Sequence, residues 1–136
     1  MSETNEEKGA YAAGLVDGEG CFDIMKRGDE ARDWWTARIR IGITNEPTIK
    51  WLQDNFGGSI YSWVLPSGKT MFQWAIYGKE VEKFLSSHVL SHLKIKKRHA
   101  FIVLNFLYLR YAEGAEKFYL ELKALNKAGK DNSKKG

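Results

Sequence analysis

The sequence predicts an α+β domain, a four-stranded antiparallel sheet with helices packed on one face and the other face open. Three observations carry this expectation. Apolar residues make up 43% of the 136, enough for a real core and too many for a disordered chain. Residues 35–44 and 71–77 alternate with a period of two, the mark of half-buried strands. Helical and strand-like segments follow one another as α-β-β-α-β-β-α-α-α, two αββ units in tandem and then further helices.

Residues 8–17 read as a helix with a face of small side chains, which Gly18 stops. Residues 20–27 form a strand, and Gly28-Asp29-Glu30 a turn. Next, Trp35, Ala37, Ile39, Ile41 and Ile43 alternate with Thr36, Arg38, Arg40, Gly42 and Thr44, giving one apolar and one cationic face. Thr44 or Asn45 caps a helix that has Pro47 in its first turn and ends at Phe56, before Gly57-Gly58. Residues 59–65 and 69–77 are strands joined by a turn at Pro66-Ser67-Gly68. Residues 79–90 form an amphipathic helix with Val81, Phe84, Leu85 and Val89 inward. A loop over 91–96 leads into helices over 97–112 and 114–127. The chain therefore divides into a flexible start (1–7), one domain (8–127) and a basic, disordered tail (128–136).

Carried onto the sheet, the alternation puts Cys21, Asp23, Met25, Arg27, Thr36, Arg38, Arg40, Ser62, Val64, Gln73 and Ala75 on the open face. A polar sheet face that bears arginines suits the DNA major groove. Charge points the same way. Lys plus Arg is 21 and Asp plus Glu is 17, a net +4, but residues 1–30 carry −5 and the remainder +9. The bulk of the chain is cationic, which favours a polyanionic partner.

Other classes are excluded. Cys21 is the one cysteine, so there is no internal disulfide framework and no cysteine-based zinc site. The uncharged run 100–109 is half the length of a membrane span, so it reads as a buried helix and no membrane partner is expected. The first seven residues are acidic and polar, unlike a signal or transit peptide. The expected compartment is the one whose genome encodes the protein, an organelle or a prokaryotic cytoplasm. His88, His92 and His99 read as surface or helix-end residues.

The stretch Ala12-Ala13-Gly14-Leu15-Val16-Asp17-Gly18-Glu19-Gly20 resembles the LAGLIDADG signature of homing endonucleases. Ala12 replaces the first Leu, Gly18 replaces the seventh-position Ala, and Glu19 stands where Asp is commoner. The similarity continues in Arg38-Ile39-Arg40-Ile41-Gly42-Ile43-Thr44-Asn45 and in Leu93-Lys94-Ile95-Lys96-Lys97-Arg98-His99-Ala100, and element order matches over about 8–127. The chain is most similar to the single-motif, homodimeric branch.

That resemblance implies an αββαββα fold with a saddle-shaped sheet, and a homodimer through the motif helix. Ala10, Gly14 and Gly18 recur every four residues on one helix face, where small side chains let two helices approach closely; Ala13 and Asp17 lie beside them. A twofold dimer reads a pseudo-palindromic site. The resemblance makes Glu19 a metal ligand, joined by the Gly18 carbonyl. Two carboxylates from two copies need a cation between them, and hard oxygen donors beside phosphates select Mg²⁺. Asn45 is expected to position the attacking water, and Lys96, with Lys94 as the fallback, to offset charge on the scissile phosphate. Arg38 and Arg40 are the foremost candidates for guanine contacts, followed by Arg27 and Gln73. Lys97, Arg98, Lys50 and the tail lysines are phosphate candidates.

The expected function is site-specific cleavage of double-stranded DNA by metal-dependent hydrolysis, leaving short 3′ overhangs, without a small-molecule cofactor. Two alternatives use the same fold: an RNA maturase that assists intron splicing through a basic surface, and a non-catalytic DNA-binding regulator.

Overall fold

The computed structural model describes residues 3–29, 32–109 and 115–135. Helix α1 spans Asn5–Glu19. Strands β1 (Gly20–Asp29) and β2 (Arg32–Ile43) follow, then α2 (Glu46–Phe56), β3 (Ser59–Val64) and β4 (Thr70–Tyr77). Helix α3 (Lys79–Phe84) runs on into a wide π turn at Leu85–Val89 and a tight turn at Leu90–His92. Helices α4 (Lys97–Tyr108) and α5 (Ala115–Lys135) complete the chain. The α+β class and the antiparallel four-stranded sheet are as expected.

The strands lie in the order β1-β2-β4-β3, so the two hairpins meet through β2 and β4. Gly20 pairs with Ile41, Asp23 with Arg38, and Arg40 with Ala75 across the hairpin junction. The helical side of the sheet carries Phe22, Ile24, Ala37, Ile39, Ile41, Trp74 and Ile76, all buried. They form one core with Ala12, Ala13 and Val16 of α1, Leu52 of α2, Phe84 and Leu85, and Val103 and Phe106 of α4. Trp74, fully buried, donates its indole N–H to the Gly57 carbonyl at 2.7 Å, so its one polar atom is satisfied.

Several boundaries differ from the sequence expectation. Helix α1 starts at Asn5, because Thr4 caps it: its Oγ1 accepts the Glu7 N–H at 3.1 Å. It also continues past Gly18 to Glu19, and the cap is Gly20, whose N–H reaches the Val16 carbonyl. A Cβ at Gly20 would lie 2.6 Å from that carbonyl oxygen and 2.8 Å from the Val16 Cα. The abrupt passage from helix to strand therefore needs glycine for space, not for its φ angle. Asn45, with Pro47 in the first turn, caps α2 as expected.

The helix expected over 79–90 loosens into the π turn where α1 presses on it. A Cβ at Gly9 would collide with the His88 carbonyl. Helix α5 runs to Lys135, through residues expected to be a disordered tail. Its sequence contains no proline to stop it, and Leu122 anchors it in the core. The turn residue Glu30 and the expected helix ends within 110–114 lie outside the described residues. No helix among the described residues is long and apolar enough to cross a membrane.

Candidate active site and nucleic-acid interface

The motif ends at a corner where α1 gives way to β1. Asp17, in the last turn of α1, accepts three backbone N–H groups from a segment 77–79 residues away. Its Oδ2 takes Lys94 N–H at 2.8 Å, and its Oδ1 takes Ile95 and Lys96 N–H at 3.1 and 2.9 Å. The segment precedes α4, whose start carries Lys96, Lys97 and Arg98 and no side-chain cap of its own. Cations at a helix N-terminus oppose its dipole, and Asp17 supplies the missing negative charge from another helix. So gathered, Lys96 donates its ammonium Nζ to the Gly20 carbonyl.

Gly18, Glu19, Gly20 and Lys96 thus meet at one corner. The Glu19 carboxylate is exposed there. Gly18 lies within the last turn of α1, where carbonyls lack helical partners. Lys96 reaches this corner through its side chain, whereas the contact of Lys94 is through its backbone. Asn45 sits just past β2, four residues after Ile41, the partner of Gly20, so it stands at the same end of the sheet. Its Oδ1 is engaged as the α2 cap, accepting Thr48 N–H at 3.0 Å and Thr48 Oγ1–H at 2.8 Å. Only its amide N–H donors remain for other work.

Among the described residues no three of His, Cys, Asp and Glu cluster as a metal cage. One exposed carboxylate and a helix-end carbonyl fit a hard ion that completes its shell with water, phosphate and a second carboxylate. They do not fit an all-protein site.

Helix α1 has two small-residue faces. Ala10, Gly14 and Gly18 are exposed, and a Cβ at Gly14 or Gly18 would meet nothing within 4 Å. Of the other two residues expected at a dimer contact, Ala13 is fully buried in the chain's own core, and Asp17, half-buried, holds the Lys94–Lys96 segment.

On the open face, Cys21, Asp23, Met25, Arg27, Arg38, Arg40 and Gln73 lie where the alternation puts them. Asp23 joins both central arginines, Arg38 Nη2 at 2.9 Å and Arg40 Nε at 3.1 Å. Burial weakens the Arg40 charge, but Asp23 and Cys21 outweigh it and raise the guanidinium pKa above its ordinary value. Arg27 stacks over the Tyr77 ring at 5.2 Å. Lys97 and Arg98 are exposed on the first turn of α4, and Lys50 is exposed on α2, 3.7 Å from Glu46.

Thr36 and Ala75 also lie on the open face, opposite Met25 and Arg40, yet Thr36 is only 9% exposed and Ala75 is fully buried. Ser62 and Val64 point to the other side, since they pair with Phe72 and Thr70. Directly opposed residues share a face, so the residues of β3 on the open side are Ser59, Tyr61 and Trp63. Tyr61 and Trp63 are 55% and 44% exposed, two aromatic side chains that alternation alone missed. The turn could have found them. With Pro66-Ser67-Gly68 as the loop, Leu65 faces Lys69, and counting outward brings Tyr61 opposite Gln73.

No protein-family model and no curated protein matches the sequence. Solved structures do match. The homing endonuclease I-CvuI, in complex with a DNA target and Mg, superposes with a TM-score of 0.75 over 89% of this chain and 83% of its own, at 18% identity. The archaeal intron-encoded homing endonuclease I-Vdi141I, complexed with DNA, gives 0.68 over 86% and 82%, at 16% identity. The homing endonuclease I-TnaI gives 0.61 over 90% and 84%, at 18% identity. At these identities the likeness is one of fold: the chain has the homing-endonuclease fold.

Proposed function

We propose that the protein is a site-specific endonuclease that cuts both strands of a long, pseudo-palindromic DNA site as a homodimer. The observation that carries this reading is the corner itself. Asp17 gathers the Lys94–Lys96 segment so that the Lys96 ammonium reaches the Gly20 carbonyl beside the exposed Glu19. A carboxylate and a cation held at one edge of an arginine-bearing sheet match the needs of phosphodiester hydrolysis. The DNA-bound state of I-CvuI and I-Vdi141I supports the partner.

In this reading the exposed Ala10, Gly14 and Gly18 of two copies meet on the twofold axis, which brings two Glu19 carboxylates together. Glu19 and the Gly18 carbonyl are the groups that would hold Mg²⁺, which supplies an activated water and charge neutralisation at the departing 3′ oxygen. The Mg and Ca present with I-CvuI point to the same class of ion. Lys96 offsets charge on the scissile phosphate, and the Asn45 amide orients water from the same end of the sheet. Twofold placement of the two sites across the minor groove leaves short 3′ overhangs. Arg38, Arg40, Arg27 and Gln73 face the bases, while Lys97 and Arg98 contact phosphates. Host action follows as copying of an intron into alleles that lack it.

The test is a cleavage selection from a randomised duplex library with Mg²⁺, run beside Glu19→Gln. Wild type is expected to return cut, pseudo-palindromic sites, and Glu19→Gln to bind them uncut with a rate lower by at least about a hundredfold. Duplex binding without cutting by wild type makes the protein a regulator. RNA binding without duplex binding makes it a maturase.

A further inference from the structure

The open face holds one feature that a DNA-binding surface should avoid: a carboxylate set among its arginines. Asp23 lies on β1 opposite Arg38. Its Oδ2 accepts the Nε–H groups of both Arg38 and Arg40, at 2.9 and 3.1 Å. Arg38 Nη2 approaches the same oxygen at 2.9 Å. Arg40 Nη2 donates to Cys21 Sγ at 3.5 Å, and Cys21 Sγ lies 3.8 Å from Asp23 Oδ1. The Asp23 and Arg38 side chains are each 20% exposed and Arg40 38%, so the cluster is sheltered without leaving the surface.

Two effects compete here. The carboxylate repels phosphates and removes a positive charge from the surface, which lowers affinity for any duplex. It also fixes two long side chains that otherwise lose much rotamer freedom on meeting DNA. A guanidinium has five N–H donors. Asp23 engages the Nε edge of each arginine, so the remaining donors leave from a fixed position. Both effects favour discrimination over affinity: less charge for arbitrary phosphates, and a set geometry for base edges.

We propose that Asp23 is a specificity-determining residue, which holds Arg38 and Arg40 in register for base edges and suppresses binding to unrelated sequence. This rests on the reading of the open face as the DNA surface. The role is one of positioning, exerted through the two arginines.

The test compares wild type, Asp23→Ala, Asp23→Asn and Asp23→Glu in a binding selection from a randomised duplex library. Titrations of the selected duplex and of an unrelated duplex follow at several salt concentrations. Asp23→Ala is expected to bind the unrelated duplex about three- to tenfold more tightly, with a salt slope steeper by about one per protomer. Its selected sites lose base preference at one or two neighbouring positions of each half-site. Asp23→Asn keeps the shape and an acceptor, and shows the same change to a smaller degree should Asp23→Ala fold poorly. Asp23→Glu restores part of the preference. A lower melting temperature with an unchanged base profile in both neutral variants overturns the proposal and leaves Asp23 a structural tie. Failure of wild type to bind any duplex overturns the DNA reading itself, which the wild-type arm reports separately.

Discussion

The two hairpins bring strands to one continuous surface with opposite chemistry. β1 and β2 carry every charged residue of the sheet, among them Asp23, Lys26, Arg27, Arg38 and Arg40. β3 and β4 carry none; they bring Ser59, Tyr61, Trp63, Met71, Gln73, Ala75 and Tyr77 to the open face, where the first hairpin adds a single exposed aromatic, Trp34. The first hairpin is long and grows directly out of the corner that holds Glu19 and Lys96. The second is shorter, and β3 is an edge strand exposed along most of its length. Charge on one half supplies salt-dependent attraction and hydrogen-bond donors; aromatic surface on the other supplies contact area that salt does not screen. A surface divided in this way separates attraction from fit.

The largest effect is expected at the root of the first hairpin. Asp17→Ala leaves three backbone N–H groups without their acceptor and frees the segment that carries Lys96. A loss of about 2–4 kcal/mol in stability is expected. Cleavage falls at least a hundredfold, on the order of the loss of one preorganised charge. Asp17→Asn keeps an acceptor oxygen and recovers part of both. Thermal unfolding and single-turnover cleavage, measured on the same preparations, check this. An unaffected cleavage rate with lowered stability would detach Lys96 from the chemistry.

Next in size is the contrast between the hairpins. Arg38→Ala or Arg40→Ala is expected to cost about 1–3 kcal/mol of discrimination at one base position. Tyr61→Ala and Trp63→Ala are expected to weaken binding by about 1 kcal/mol each, through lost apolar contact, with the salt slope unchanged. Titrations from low to high salt separate the two. A salt slope altered by Trp63→Ala as much as by Arg40→Ala would break the division.

The same contrast explains what the sequence made legible. In β2, isoleucines alternate with arginines, and a slip of one residue would bury charge, so only one phase is possible. In β3, Ser59-Ile60-Tyr61-Ser62-Trp63-Val64 places apolar and polar groups on both phases, so alternation gave Ser62 and Val64 in place of Tyr61 and Trp63. The motif helix shows the same limit. Its small residues announce close approach, yet only the packed structure separates Gly9, closed against His88, from Gly14 and Gly18, which are open. The Asp17 contact spans 77–79 residues, and no local pattern encodes it. The corner residues themselves, Gly18, Glu19 and Lys96, were legible because a motif fixed their register.

The smallest effect is again confined to the first hairpin. His99, on the first turn of α4, stacks on Phe22 of β1 at 5.8 Å, and its Nδ1 is buried without a hydrogen-bond partner. Burial lowers its pKa below the ordinary 6.5, and the charge of Lys96 lowers it further. The unfolded chain therefore takes up this proton at a higher pH than the folded one. Stability from this group is complete above pH 6.5, declines as pH falls below it, and stops declining once the folded protein is protonated as well. His99→Gln removes that decline, so its melting temperature should vary less with pH below 6.5 than that of wild type. Amide exchange gives the sharper reading. On acidification, Phe22 and Ile24 should lose protection before Trp74 and Ile76, whose strand contains no titratable acid or histidine. Loss of protection in β4 first would mean that the two hairpins respond to acid as one body, and that the division between them ends at the open face.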